Sequence, residues 1–290
     1  MRALAELIMR GRVHASVAVL LGTLVPFVTP AVVALVTLRK GAVEGTLILF
    51  IGLLPTLVTF GTNEAQPLVF MFTVLGLVAV YASALVLKQT ESLSLALMTL
   101  LASSVVALLL IKQLVPGSLH YLIDSLSKAV TERAVAAGID NLSVGINEVS
   151  LTGLLAVIIM LNGVCSLFLG RWWQALLYNP GGFGADFRQL RLGFTTAIIC
   201  LMVSVYFLVQ EGTYFTWSFI FALPLMLVTI AIVHGVAKSS KNAKQWLVIF
   251  YIAIIVLGFL QLINYVQIVL MGVGFLDNWL NFRSRKSQLT

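Results

Sequence analysis

The densest set of chemically capable side chains in this 290-residue sequence lies between positions 170 and 193. Gly170-Arg171-Trp172-Trp173-Gln174 is followed by Tyr178-Asn179-Pro180-Gly181-Gly182-Phe183-Gly184-Ala185-Asp186-Phe187-Arg188-Gln189-Leu190-Arg191. Arg188 and Arg191 stand three apart, so a helix through them would present both guanidinium groups on one face, able to hold a phosphate, a carboxylate or a partner's acidic residue. Asn179-Pro180-Gly181-Gly182 forces a turn whose glycines permit positive φ and close approach of a backbone or a ligand. Asp186 is placed to cap the helix that follows. Trp172, Trp173 and Tyr178 suit the headgroup layer of a membrane, which satisfies an aromatic body and a polar tip together. With Arg171 beside them, an aromatic belt and a positive anchor account for the stretch equally well without a ligand.

Polar residues inside apolar runs form a second candidate site: Lys112, Asn162, His234, Gln261, Asn264 and Gln267. Each costs about 1 to 3 kcal/mol in hydrocarbon unless it is paired or faces water. Gln261, Asn264 and Tyr265 share one helical face, and Asn162 falls near the middle of its own run. Convergence of Asn162, Gln261 and Asn264 on a cavity would make a solute site, whereas hydrogen bonds between helices would make them structural glue. Lys112, at the end of its run, is expected to snorkel to the interface.

Catalytic chemistry finds little support. His120 and Asp124 are spaced i,i+4, but Ser125 points off their face, so no triad forms. There is no nucleophile elbow, phosphate-binding loop or paired His motif, and neither a cofactor nor a metal is expected. Glu64, Glu148 and Glu211 flank apolar runs singly and without fixed partners. Cys165 and Cys200 lie within apolar runs and read as small embedded side chains rather than a disulfide or metal pair. The net charge of +7 sits in short clusters at the ends of apolar runs, the pattern of membrane orientation rather than of nucleic-acid binding.

The elements that must carry these residues follow from where charge is missing. Val13 to Leu38, Leu151 to Gly170 and Gln245 to Leu276 hold no Asp, Glu, Lys or Arg, and a hydrocarbon core about 30 Å thick needs roughly 20 apolar residues per helical span. Hydrophobic residues make up 60% and charged residues 10%, with a mean hydropathy of +1.05, far from a soluble domain, of which about a quarter is charged. Apolar segments fall at 13–38, 45–63, 67–87, 93–115, 149–169, 193–210, 214–236 and 246–276. The first is too long for a signal peptide and is expected to stay in the bilayer. The insertion at 116–148 carries Leu119, Leu122, Ile123, Leu126 and Val130 at helical spacing, an amphipathic helix for the membrane surface, ended by Gly138 and Asp140-Asn141.

If every segment crossed once, Lys and Arg would divide almost evenly between the two sides, against the cytoplasmic bias of short loops. If the first and last segments turn back within the membrane, fifteen cations fall on one side and only Lys128 and Arg133 on the other. Pro26 and Pro30 remove helix hydrogen bonds in the first segment, and the last is too long for one span and polar near its centre. The expected fold is therefore all-α: a polytopic transmembrane helical bundle of about six full spans plus two broken or re-entrant segments, eight to ten helices in all, with one surface helix. Residues 1–290 form a single integral membrane domain, with both termini and the 170–193 loop cytoplasmic and 116–148 outside.

The 170–193 motifs, together with Gly274-Phe275-Leu276-Asp277-x-Trp279-x-x-Phe282-Arg283, resemble the signature of the YybS-like family of bacterial integral membrane proteins, and the order of spans is similar over nearly the whole chain. That family is in turn distantly similar to the substrate-binding membrane subunits of energy-coupling-factor transporters. The resemblance implies a bacterial inner-membrane protein with a small-molecule site between helices and a cytoplasmic coupling surface; in such subunits Ala-x-x-x-Ala on the first helix meets the coupling protein, where this chain has Ala15-x-x-Ala18 and Ala31-x-x-Ala34. The expected function is of transporter type, binding a small solute or lipid fragment, with Arg171, Trp172, Trp173, Asn179, Gly181, Gly182, Arg188 and Arg191 as the coupling or docking loop. The alternative is a non-transporting scaffold or assembly factor that recruits proteins or anionic lipid.

Overall fold

The structure is a computed structural model that describes residues 1–25, 27–60, 66–137, 147–210, 212–238 and 242–280. Among these residues there are thirteen α-helices and no strand. Four helices are long and apolar enough to cross a membrane, Pro67–Thr90, Leu93–Leu114, Glu148–Tyr178 and Phe215–Lys238, and four shorter apolar helices accompany them. The chain falls into two compact units, one of Met1–Pro180 with Gly212–Trp217 and one of Gly181–Glu211 with Ser218–Thr290.

The first unit contains α1 (Arg2–Met9), α2 (Arg12–Leu21), α3 (Val28–Lys40), α4 (Ala42–Thr59), α5 (Gln66–Thr90), α6 (Leu93–Leu114), α7 (Pro116–Ala136) and α8 (Glu148–Tyr178). Every residue of α3 from Ala31 to Leu38 is buried, as a helix apolar on all sides requires. It packs against α4, α5 and α8. The approach to α8 is closest at Gly170, where an added Cβ would stand 2.8 Å from Ala34 Cβ and 3.0 Å from the Ala31 carbonyl. Ala31 and Ala34 are therefore spent on an internal crossing of small residues.

The expected break in the first segment is present. After α2 the chain makes a 3-10 turn over Gly22–Leu24, Val25 is extended, and Phe27 sits at φ 68 before α3 begins. Pro26 lies outside the described residues. Pro30 is the third residue of α3, where its missing N–H leaves no intrahelical bond unmade. The segment doubles back on itself: Thr29 Oγ1 donates to the Val19 carbonyl at 2.7 Å, and Arg12, at the start of α2, forks onto Glu44 beyond the end of α3, with Nε at 3.0 Å from Oε2.

The second unit contains α9 (Gly182–Arg188), α10 (Phe194–Val209), all but the first turn of α11 (Phe215–Lys238), α12 (Ala243–Phe259) and α13 (Ile263–Leu280). The last apolar segment is likewise two helices, separated at Leu260–Leu262 with Gln261 at φ 60. Phe250, Ala253 and Leu257 share a small apolar cavity of about 270 Å³ with Tyr265, Val269 and Leu270, residues placed symmetrically about the break, so α13 returns alongside α12.

With both broken segments counted twice the apolar helices number ten among the described residues; α7, expected separately, and α1 and α9, which carry no apolar run of membrane length, bring the total to thirteen. The surface helix ends at Ala136. Its expected terminators Gly138, Asp140 and Asn141 lie outside the described residues, as do Lys241, Glu64, Glu211 and everything beyond Leu280, including Phe282 and Arg283.

Candidate functional site

The break in the first segment opens a cavity of about 350 Å³ inside the first unit. Gly22, Thr23, Phe27 and Thr29 line it from the broken segment, Gly52, Pro55 and Thr56 from α4, Phe72, Thr73 and Gly76 from α5, and Ile159 and Asn162 from α8. The space has local causes: backbone diverted at Gly22–Phe27 leaves helical packing, Pro55 interrupts the hydrogen-bond ladder of α4, and Gly52 and Gly76 bring no side chain. Asn162 is the one residue foreseen here. The threonines were missed, though proline and glycine in neighbouring apolar segments marked the irregular backbone.

Among the described residues no Asp, Glu, Lys, Arg or His lines this cavity. Thr23 donates to the Leu20 carbonyl at 2.7 Å, Thr29 to Val19 at 2.7 Å and Thr73 to Val69 at 2.8 Å. Ser166 Oγ lies 3.2 Å from the Phe27 carbonyl and 3.4 Å from Asn162 Oδ1, and its single proton serves one of them at a time.

Gln261 and Asn264, the other two members of the expected intramembrane site, belong to the second unit and are exposed, Gln261 in the turn between α12 and α13 and Asn264 in the first turn of α13. The sequence places them near the centre of the last, broken segment. The break instead puts them at the end of a helical hairpin. The buried amide of this unit is Gln267, whose Nε2 donates to Ser218 Oγ at 2.6 Å, while Ser204 and Ser218 each donate to the other's carbonyl at 2.9 Å. All three residues are fully buried, and among the described residues Gln267 Oε1 has no partner. The unit is held by hydrogen bonds between helices of the kind expected for embedded amides.

The 170–193 stretch is not a loop throughout. Gly170 to Tyr178 continue α8, whose 31 residues span about 46 Å and outrun the hydrocarbon core. Trp173 is fully buried in the cluster containing Ala5, Ile8 and Leu35, under α1, and not exposed as an aromatic of a headgroup layer would be. Trp172 is exposed, Arg171 Nη1 donates to Gln174 Oε1 at 3.1 Å, and the Arg39 guanidinium lies 4.0 Å over the Tyr178 ring. Asn179 closes α8 with its N–H on the Ala175 carbonyl.

In the second unit Gly181 takes the left-handed φ of 87 and α9 starts at Gly182. Asp186 lies in the last turn of α9 and is not the cap of the next helix, which follows Gly193. Arg188 ends α9, so Arg188 and Arg191 do not share a helical face. Arg191 instead donates from Nη2 to the Asp277 carbonyl at 2.6 Å, its Nε 3.4 Å from Asp277 Oδ2. Phe187 meets the His234 ring edge-on at 5.7 Å, and His234 Nε2 bonds the Tyr251 hydroxyl at 2.8 Å.

Glu148 does have a partner: Lys112 Nζ stands 2.9 Å from its Oε1, so Lys112 is held in an ion pair at the α6–α8 ends. Among the described residues no three His, Cys, Asp or Glu side chains gather as a metal site. No known family, curated protein or solved structure matches the chain.

Proposed function

We propose that this chain is a bacterial inner-membrane protein of transporter type that binds a small solute in the cavity beside its broken first segment. The observation that carries this is the cavity itself: broken backbone, threonine hydroxyls and Asn162 meet inside helices otherwise apolar enough for a bilayer. Irregular backbone within a membrane is sustained where it is buried in protein or lines a cavity, and discontinuous helices are where transporters place their substrates. The doubling back of the first and last segments supports cytoplasmic termini through the fifteen-to-two charge partition. Membership in the YybS-like family, and a partner protein coupled at the α8–α9 region, belong to the same reading.

Gly76 offers the test. It lines the cavity, and a Cβ there would meet nothing within 4 Å, so Gly76→Leu fills the space without displacing backbone. Native mass spectrometry of protein purified in mild detergent is expected to show a retained small molecule on the wild type and none on Gly76→Leu, with unchanged thermal unfolding. Equal spectra would sink the solute site. The scaffold alternative has one observation in its favour, that no residue of α12 is buried and Trp246, Ile252, Ile255 and Phe259 are exposed along it.

A further inference from the structure

We infer that the cavity takes an uncharged molecule that brings its own hydrogen-bond donors, an N–H- or O–H-bearing body of modest size, and this rests on the solute-site reading above. The charge follows from the lining. Among the described residues no cationic side chain faces the cavity to receive a carboxylate or phosphate, and no carboxylate faces it to receive an ammonium; an ion moved from water among those groups would lose its hydration with no opposite charge from them in return.

The donor requirement follows from where the threonine protons go. A hydroxyl carries one hydrogen and two lone pairs. Thr23, Thr29 and Thr73 each spend that hydrogen on a backbone carbonyl, at 2.7, 2.7 and 2.8 Å, which leaves lone pairs alone to address the cavity. An acceptor-only ligand would set oxygen against oxygen. Asn162 is the exception, because among the described residues its Nδ2 hydrogens meet no acceptor, so its carboxamide can both give and take. The complementary ligand has donors spread around an apolar body, packed by Phe27 and Phe72, with one group such as an amide or hydroxyl to match Asn162.

The test uses a total low-molecular-mass cell extract as probe. Purified wild type, Gly76→Leu and Thr73→Val are incubated with it, washed and analysed by mass spectrometry; molecules retained by the wild type and lost by Gly76→Leu are the cavity's ligands. They are expected to be uncharged at pH 7 and to carry N–H or O–H groups. Thr73→Val keeps the volume and removes the acceptor, and should weaken their binding by about fivefold to tenfold, with Thr73→Ser, which restores the oxygen, recovering most of it. Cavity-dependent species that are carboxylates, phosphates or ammonium ions would overturn the inference, as would unchanged binding in Thr73→Val. Retention of nothing in a Gly76-dependent way would remove the solute site itself, and the ligand class with it.

Discussion

Arg191 holds Asp277 across 86 residues of sequence, with Nη2 on the Asp277 carbonyl at 2.6 Å and Nε 3.4 Å from a carboxylate that is only 1% exposed. One end of this pair belongs to the Phe187-Arg188-Gln189-Leu190-Arg191 motif and the other to the Gly274-Phe275-Leu276-Asp277 ending. Two stretches that stand out separately in the sequence are therefore parts of one structural contact within the second unit, and Arg191 is engaged inside the fold.

Removing Arg191 should take a cationic partner away from a buried carboxylate. Loss of one partner of a fully buried pair costs about 3 to 5 kcal/mol; because Arg191 itself is 39% exposed, Arg191→Gln is expected to cost about 2 kcal/mol. Arg188, half-buried at the end of α9 and with contacts of its own, should lose less on change to Gln, about 1 kcal/mol. Thermal unfolding in detergent reads both, and equal destabilisation by the two variants would refute the assignment of Arg191 to the fold.

Gly181, rather than Gly182, is the backbone-critical glycine of the turn. At φ 87 an L side chain is disfavoured by about 1 to 2 kcal/mol, so Gly181→Ala should lower stability by about 1 kcal/mol. Gly182 opens α9 with helical geometry and should accept Ala with no loss. A melting-temperature comparison of the two variants distinguishes them.

The positions of the apolar helices were legible from charge-free runs alone, and both breaks were legible too, the first from Pro26 and Pro30 and the last from its length. What composition could not show was which residues the tertiary fold would cover. Trp173 reads as a headgroup aromatic because its type fits one; it is fully buried because α1 lies over it, and α1 has no membrane-length signature. Gln261 and Asn264 are exposed at the turn of the last segment, which their residue types did not show, since a hairpin turns the middle of a run into its tip. Glu148 looked solitary because Lys112 is 36 residues away in sequence, and the cavity threonines look like ordinary helix residues until the broken backbone gathers them.

Orientation can be read with single cysteines at positions 3 and 127 in a background with Cys165 and Cys200 replaced by Ser. Both termini on the cytoplasmic side, with α7 outside, predict that an impermeant maleimide labels position 127 in intact cells and position 3 only after permeabilisation. The reverse pattern would invert the topology.

The Ser204–Ser218–Gln267 network should contribute modestly despite its complete burial. Hydrogen bonds between helices in membranes average about 0.6 kcal/mol, so Ser218→Ala, which leaves Gln267 Nε2 only its longer 3.4 Å contact with Ser204 Oγ, is expected to cost about 1 to 2 kcal/mol. Gln267→Met removes an amide whose Oε1 is already unpartnered and should cost less than Ser218→Ala. A larger loss in Gln267→Met than in Ser218→Ala, measured by thermal unfolding, would show that the amide is satisfied in a way this geometry does not contain.

The two broken segments share a device that makes a final prediction. Each turns on a non-glycine residue in the left-handed region, Phe27 at φ 68 and Gln261 at φ 60, a conformation that costs an L residue about 1 to 2 kcal/mol and persists where its surroundings hold it. Glycine removes that strain but also loosens the unfolded chain, so the net gain at a site where the side chain does nothing else is about 0.5 to 1 kcal/mol. Gln261 is such a site: it is exposed, and Gln261→Gly should raise the unfolding temperature. Phe27 differs because its ring lines the cavity and its carbonyl receives Ser166. Phe27→Gly is therefore expected to leave stability unchanged or lower while weakening retention of the cavity-bound molecule. Were Gln261→Gly destabilising instead, the left-handed turn would be doing no harm to the chain, and the exposed Gln261 side chain would have to carry an interaction of its own.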